Sequence, residues 1–161
     1  MIILGIDPGF GRCGYAVLSH DGKKQRVLDS GCVERPATML FARRLCAIAE
    51  RLEALFELHQ PDTVAVERLF FNTNQKTALR VAEVRGVVLY LAGRKGITVR
   101  EYTPLELKMA LTGYGKAPKA QVQEMVKVLL KLPAVLRPDD VADAAAVALT
   151  CAVSSRVQNL T

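Results

Sequence analysis

One segment near the start of the chain governs the rest, Ile2-Ile3-Leu4-Gly5-Ile6-Asp7-Pro8-Gly9. Its apolar run with β-branched residues predicts a strand buried on both faces of a sheet. Pro8 cannot donate to a strand ladder, so the strand ends there, and Gly9 permits a tight turn. Asp7 therefore stands at the end of a buried strand, where a carboxylate needs a metal ion, a base or hydrogen-bond donors. A turn aspartate that caps the following backbone is an equally good interpretation of this segment alone.

The same design recurs at Val64-Ala65-Val66-Glu67, where a second apolar run ends in an acid. Between the two runs, residues 38–59 carry apolar side chains at alternating spacings of four and three, which predicts an amphipathic helix. A strand reached through a long helix usually lies parallel to its neighbour. If adjacent, the strands place Asp7 and Glu67 about 4.8 Å apart. An ordinary ion pair of Glu67 with Arg68 is the alternative.

The complete pattern predicts an α/β fold with the element order βββ-α-β-α-β-α-α-α. Three antiparallel strands come first, with a hairpin turn at Asp21-Gly22, and two parallel strands follow. Together they form a five-stranded mixed sheet flanked by helices. Thr103-Pro104-Leu105-Glu106 has the signature of a helix start, and the last helix is predicted from residue 139 to residue 153. We expect one domain over residues 1–161, because no repeat or boundary interrupts the chain.

Two more acids, Asp140 and Asp143, stand three residues apart at the start of the last helix and share one face. Small alanines follow them, so this end of the helix can approach the sheet closely. Four converging carboxylates would repel one another unless cations intervened, and Mg²⁺ or Mn²⁺ suits an all-oxygen site. Two such ions about 3.5–4 Å apart would clamp the attacking and leaving oxygens of a phosphoryl displacement. Helix capping is the alternative role for one acid of the pair Asp139 and Asp140.

Composition supports an anionic partner. Twenty-two Lys and Arg residues against sixteen Asp and Glu residues give a net charge of +6 and a pI near 9.3, which favours nucleic acid. The four cysteines are scattered without a CxxC pair, as expected of reduced thiols. The chain has no apolar run of membrane-spanning length and no signal-peptide pattern. We therefore expect a cytoplasmic, metal-dependent nuclease without a membrane partner.

At this point the sequence resembles the RuvC family of bacterial Holliday-junction resolvases, over residues 1 to about 153. The matching motifs are Gly5-Ile6-Asp7-Pro8-Gly9 with Gly14-Tyr15, Val66-Glu67-Arg68-Leu69-Phe70, Arg85-Gly86, Lys108, Gly113-Tyr114-Gly115-Lys116 with Lys119, Gln121-Val122-Gln123, Leu130-Lys131-Leu132-Pro133 and Asp140-Val141-Ala142-Asp143-Ala144.

The resemblance implies a ribonuclease-H-like fold and a homodimer that resolves four-way DNA junctions in recombination and repair. Each active site would nick one of two strands of like polarity and leave 5′-phosphate and 3′-hydroxyl ends. The family's catalytic and metal-binding acids correspond to Asp7, Glu67, Asp140 and Asp143, with Mg²⁺ as cofactor and Mn²⁺ as a substitute. The branch-migration proteins RuvA and RuvB are the implied protein partners.

The resemblance also implies DNA-binding residues. Phe70 matches the family's aromatic residue that stacks on an unpaired base, and Phe71 beside it could share that role. Lys108 and Lys119 match basic positions that contact phosphates. Looser candidates for the DNA surface are Arg80, Arg85 and Lys116.

Three other classes of protein are alternatives. The opening motif also occurs in actin-like ATPases and sugar kinases, which need a second such domain that 161 residues cannot supply. YqgF-like RNA-processing nucleases share the motif but lack the context of Glu67 and the segment from Lys108 to Lys119. A non-catalytic junction-binding protein would be favoured if one of the four acids were missing.

Overall fold

The computed structural model describes residues 1–68 and 75–158, with no side-chain detail at 75–76 and 156–158. Phe70 and Phe71 lie outside the described residues. The strands are β1 (Ile2–Asp7), β2 (Arg12–His20), β3 (Gln25–Glu34), β4 (Thr63–Glu67) and β5 (Thr98–Tyr102). The helices are α1 (Phe41–His59), α2 (Gln75–Arg94), α3 (Pro104–Thr112), α4 (Lys119–Leu129) and α5 (Asp139–Gln158).

The strands form one sheet in the order β3-β2-β1-β4-β5. β2 pairs antiparallel with both β1 and β3, whereas β4 runs parallel to β1 and β5 runs parallel to β4. The prediction of three antiparallel strands followed by two parallel strands is therefore confirmed. Ile6 lies opposite Val66 in the register, so the ends of β1 and β4 meet at the same edge of the sheet.

Alternation along the strands divides the core into two layers. Leu4 and Ile6 of β1 pack with Val64 and Val66 of β4 against α1 and α2. Ile3 and Ala65 face the opposite layer, which contains the alanine-rich helix α5. Because successive side chains of a strand point to opposite faces, residues that share the parity of Ile3 and Ala65 point towards α5.

Helix α5 lies unusually close to the sheet because glycines face it. A Cβ atom built on Gly5 would be 2.2 Å from the carbonyl oxygen of Ala144, and one built on Gly14 would be 2.0 Å from that of Asp140. No side chain fits in either gap. The small residues of β1, β2 and α5 thus bring the first turns of the helix directly onto the backbone of the sheet.

The helix ends agree with the predicted signals to within a few residues. Thr103 caps α3 through its side chain, and Glu106 closes the capping box, as predicted. Helix α5 runs to Gln158, five residues beyond the predicted end at Val153, because no Gly or Pro interrupts it. Within the described ranges, none of the helices has the length and apolar character needed to cross a bilayer.

All four cysteines are free thiols, as expected. Cys13 and Cys151 are buried, Cys32 is partly buried and Cys46 on α1 is exposed. Burial raises the pKa of the thiols of Cys13, Cys32 and Cys151.

Candidate active site

Two acids lie at neighbouring strand ends on the same face of the sheet. Asp7 is the last residue of β1 and Glu67 is the last residue of β4. Each is one strand position beyond the paired residues Ile6 and Val66. Their parity is that of the residues facing α5, so both carboxylates point towards that helix. The structure therefore has Asp7 and Glu67 at neighbouring strand ends, as the two apolar runs predicted.

Helix α5 brings the other two acids to the same place. Asp140 and Asp143 lie in its first two turns. Gly14 is paired with Asp7 across β1 and β2, and the backbone of Asp140 lies directly over Gly14. The start of α5 therefore sits over the strand next to Asp7, and the four carboxylates converge at one edge of the sheet.

Convergence perturbs the protonation of these acids. The pKa of Asp7 is raised from 3.8 to about 7, first by burial and then by the negative charges of Asp143, Asp140 and Glu67. Burial is also the main reason that the pKa values of Glu67 and Asp143 are raised. Buried acids that raise one another's pKa require positive charge nearby in order to ionise together.

Two basic side chains from other elements supply part of that charge. Lys119, the first residue of α4, places Nζ 2.7 Å from Oδ2 of Asp143 and 3.6 Å from Oδ2 of Asp139. Arg12, the first residue of β2, places Nε 3.0 Å from Oδ2 of Asp140. Both cations are about half exposed, so each can exchange its carboxylate for another anion at small cost.

The chemistry of the donors at the acidic site suits a hard divalent cation. Its donors are carboxylate oxygens, which Mg²⁺ and Mn²⁺ prefer. Oδ2 of Asp140 is buried and accepts no hydrogen bond of good geometry, although Arg12 lies beside it. Within residues 1–68 and 75–158, no three His, Cys, Asp or Glu side chains are spaced as a formed metal centre. Two of the four acids, Asp143 and Asp140, are paired instead with Lys119 and Arg12.

Comparison with known proteins identifies the family. The family model described as "Crossover junction endodeoxyribonuclease RuvC" matches residues 3–151. The chain belongs to the RuvC family. A RuvC protein of Ruminiclostridium cellulolyticum is 50% identical over 157 residues, which cover 98% of this chain and 95% of that protein. One of Heliobacterium modesticaldum is 51% identical over 154 residues, covering 96% of this chain and 95% of that protein.

Solved structures agree with this assignment. The structure of Thermus thermophilus RuvC superposes with a TM-score of 0.89 at 34% identity, covering 98% of this chain and 96% of that chain. The same RuvC has been solved in complex with a Holliday junction substrate, which matches with a TM-score of 0.89 at 33% identity. The RuvC family and its ribonuclease-H-like fold are thus confirmed.

The basic residues that resemble RuvC DNA contacts lie at different distances from the acids. Lys108 on α3 is near enough to oppose the effect of burial on the pKa of Glu67. Lys116 is exposed in the loop before α4. Arg80 on α2 lies 4.2 Å from the ring centroid of Phe41. Arg85 is ion-paired with Glu101 of β5. Of these five residues, Lys108 and Lys119 are coupled to the acids, Lys116 and Arg80 are exposed elsewhere, and Arg85 is mostly buried beside Glu101.

Sequence reasoning missed Arg12. Arg12 is the first residue of β2. Its partner Asp140 is on the last helix, so no local sequence pattern indicates the contact. The role of Asp139 was also unassigned. Asp139 pairs with Arg137 and Lys119, which outweigh the opposing effect of burial and keep its pKa below the usual value.

Proposed function

We propose that this protein is an endodeoxyribonuclease that resolves Holliday junctions by paired symmetric nicks on strands of like polarity. The observation that carries the proposal is the convergence of four acids at one sheet edge in a chain of the RuvC family. Its relatives are named crossover junction endodeoxyribonucleases, and the T. thermophilus relative has been solved with its junction substrate. The net charge of +6 supports a DNA substrate.

Asp7, Glu67, Asp140 and Asp143 would hold two Mg²⁺ ions, with Mn²⁺ as a substitute. When bound, the ions would supply a water nucleophile at neutral pH and Lewis-acid stabilisation of the leaving oxygen. The reaction is an in-line displacement at phosphorus that breaks the bond to the 3′ oxygen. It leaves 5′-phosphate and 3′-hydroxyl ends.

The chain's own basic residues position the phosphate. Lys119 Nζ lies at the mouth of the site, 2.7 Å from Asp143, and can donate to a non-bridging phosphate oxygen entering there. Lys108 approaches Glu67 from α3 and would bind the same or an adjacent phosphate. Arg12 holds Asp140 in place from β2. Phe70 would stack on an unpaired base near the crossover, with Phe71 beside it; Arg80, Arg85 and Lys116 would contact the arms.

We propose a homodimer, since two symmetric nicks would need two active sites held at a fixed distance. The outward face of α2 supports such an assembly. Leu79 and Tyr90 are 63% and 62% exposed there, and Gly86 lies between them at helical spacing with open space around it. Association would bury these apolar side chains. We further propose RuvA and RuvB as partners, and the cytoplasm, where junction DNA is found, as the location.

The test uses one strand-labelled set of substrates: a four-way junction, a plain duplex, a flap and an RNA–DNA hybrid. Each is incubated with the protein in Mg²⁺ or Mn²⁺, and cut positions are mapped on every strand. We expect paired symmetric nicks on the junction alone, with products that DNA ligase can seal. Cleavage of the hybrid alone would favour a YqgF-like RNA nuclease, and junction binding without cleavage in either metal would favour a non-catalytic junction-binding protein.

A further inference from the structure

A cleft of about 510 Å³ lies next to the acidic site, between the β1–β2 turn, the end of β3 and the start of α1. We call it the arginine cleft. The residues of its wall that matter here are Phe10, Arg12, Glu34, Arg35, Pro36 and Arg44. Among the described residues that line it are none of the four acids and none of the basic residues matched to the RuvC family.

The charge in the arginine cleft is predominantly positive. Three arginines line it with a single acid, Glu34, which is paired with Arg12 across β2 and β3. Arg35 is exposed, and its Nη1 donates to the backbone carbonyl of Glu34 at 2.9 Å, which orients the guanidinium at the rim. Three cations within one concave surface favour an anionic ligand.

Arg44 supplies the most specific observation. Its Nε is buried and makes no hydrogen bond, although buried N–H groups in proteins are nearly always paired. The guanidinium lies 5.6 Å from the ring centroid of Phe41, which restricts its orientation. An acceptor that entered the cleft would find a guanidinium already oriented.

The cleft is connected to the acidic site and to a second basic surface. Arg12 lines it and contacts Asp140 through Nε, leaving the other N–H groups of a five-donor guanidinium for another acceptor. Phe10 lines both this cleft and the neighbouring one that contains Arg80. Arg80 lies over the same Phe41 ring as Arg44. Basic groups thus extend from the carboxylates, past Phe10, to α2.

We propose that the arginine cleft binds a backbone phosphate of DNA adjacent to the cleavage site, through Arg35 and Arg44. The proposal rests on the proposed function in that DNA is taken as the ligand. Planar guanidinium forks match the oxygens of a phosphate in a bidentate manner. Arg12 would contact both this phosphate and Asp140. It would thereby position the DNA strand relative to the acid. An acidic protein surface is the competing ligand.

The experiment measures the salt dependence of DNA binding in EDTA, so that no strand is cut. The double variant Arg35→Gln/Arg44→Gln is compared with wild type on a four-way junction and on a duplex, between about 50 and about 200 mM salt. Each lost phosphate contact lowers the slope of log affinity against log salt by about 0.9, so we expect a decrease of about 1 in the double variant, which loses its contact with this one phosphate. The single variant Arg35→Gln, at an exposed position, leaves Arg44 on the phosphate and should show a smaller decrease.

The matched control is Lys24→Gln/Arg26→Gln, which removes the same charge at the opposite end of the sheet, around the β2–β3 hairpin. Its slope should stay at the wild-type value. A slope that is equally unchanged in the arginine-cleft variants on both DNAs would overturn the proposal and favour an acidic protein ligand. A lower slope on both DNAs in a protein that cuts no junction would support the cleft and refute the proposed function.

Replacing single phosphates by an uncharged analogue shows which phosphate the arginine cleft binds. Methylphosphonate is placed at one position at a time around the cleaved bond of the junction. At one position we expect the salt slope of wild type to fall by about one unit. The slope of Arg35→Gln, which has already lost part of this contact, should fall by less at that position. Additive losses at every position would overturn the assignment of Arg35.

Discussion

Asp7 lies at the end of a strand that is buried on both faces, with three other acids around it. Its pKa of about 7 exceeds the 3.8 of an ordinary aspartate chiefly because of burial. Between about pH 4 and about pH 7 the folded protein therefore binds a proton that the unfolded chain releases. By linkage, the free energy of unfolding falls as pH rises through this window.

Asp7→Asn should abolish cleavage but stabilise the fold. At about pH 8 in EDTA, where the wild-type carboxylate is charged, we expect a free energy of unfolding about 2–4 kcal/mol above wild type, because each pKa unit corresponds to about 1.4 kcal/mol. At about pH 4 the difference should disappear. Urea denaturation at the two pH values measures it, and junction binding in EDTA should persist.

The control for Asp7→Asn is Asp139→Asn. The pKa of Asp139 is lowered by Lys119 and Arg137 against the effect of burial, so its ionised form favours folding above about pH 4. Neutralising it should give no gain in stability at about pH 8. Equal stability of wild type and Asp7→Asn at both pH values would contradict the electrostatic account of the site.

At the scale of the element, the position of α5 determines whether two of the four acids reach the site. Its first turns rest on the backbone of β1 and β2 through contacts at Gly5 and Gly14, with Ala144 and Ala148 on the helix side. Interiors pack densely and shift rather than compress, so an added methyl group must displace the helix. Asp140 and Asp143 would move with it.

Gly14→Ala tests this contact, since its Cβ would stand 2.0 Å from the carbonyl oxygen of Asp140. We expect a loss of about 1–3 kcal/mol in stability from overpacking. A displacement of about 1 Å at the site should reduce the cleavage rate about 100-fold or more. Single-turnover cleavage of a junction at saturating protein measures the rate, and thermal unfolding measures the stability.

Gly93→Ala is the matched control. Gly93 is an exposed glycine in α2, and an added Cβ would meet nothing within 4 Å. Alanine favours helix, so this variant should gain up to about 1 kcal/mol and cleave normally. Wild-type cleavage by Gly14→Ala would show that the close approach of α5 does not position the acids.

At the scale of the whole molecule, paired nicks on a junction would depend on the geometry between the two active sites of the proposed dimer. The proposed dimer contact is the α2 face with Leu79, Gly86 and Tyr90. Tyr90 is also contacted by Arg94 of the same helix, whose Cζ lies 5.6 Å from the ring centroid. A charge introduced on this face would be buried on association and would oppose it.

Tyr90→Glu should therefore convert the dimer to a monomer in sedimentation at micromolar concentration. The monomer should make isolated nicks on a junction without paired cuts, because each active site remains complete. Leu58→Glu on α1, where the leucine is 71% exposed, is the control and should remain dimeric. A Tyr90→Glu variant that sediments as wild type would exclude this face as the interface.

Sequence reasoning placed the strands, the order of elements and all four acids where the structure has them. Apolar runs ending at Asp7 and Glu67 were sufficient, because burial and alternation along a strand are local properties. The contacts of Arg12 and Lys119 were not predictable, since each joins side chains from elements far apart in the chain. The continuation of α5 past Val153 was also missed, although residues 154–158 carry no Gly or Pro that would end a helix.

The distribution of thiols affects how the protein can be labelled. Cys13 lies next to the acids but is buried, and its raised pKa leaves little reactive thiolate. Cys151 is also buried and Cys32 is partly buried, and the pKa of both thiols is raised. Cys46 alone of the four is exposed. A maleimide dye would therefore attach first at Cys46 on α1, away from the carboxylates. The natural sequence thus offers a fluorescence handle for observing the order of the two nicks on single junctions, with no cysteine removed.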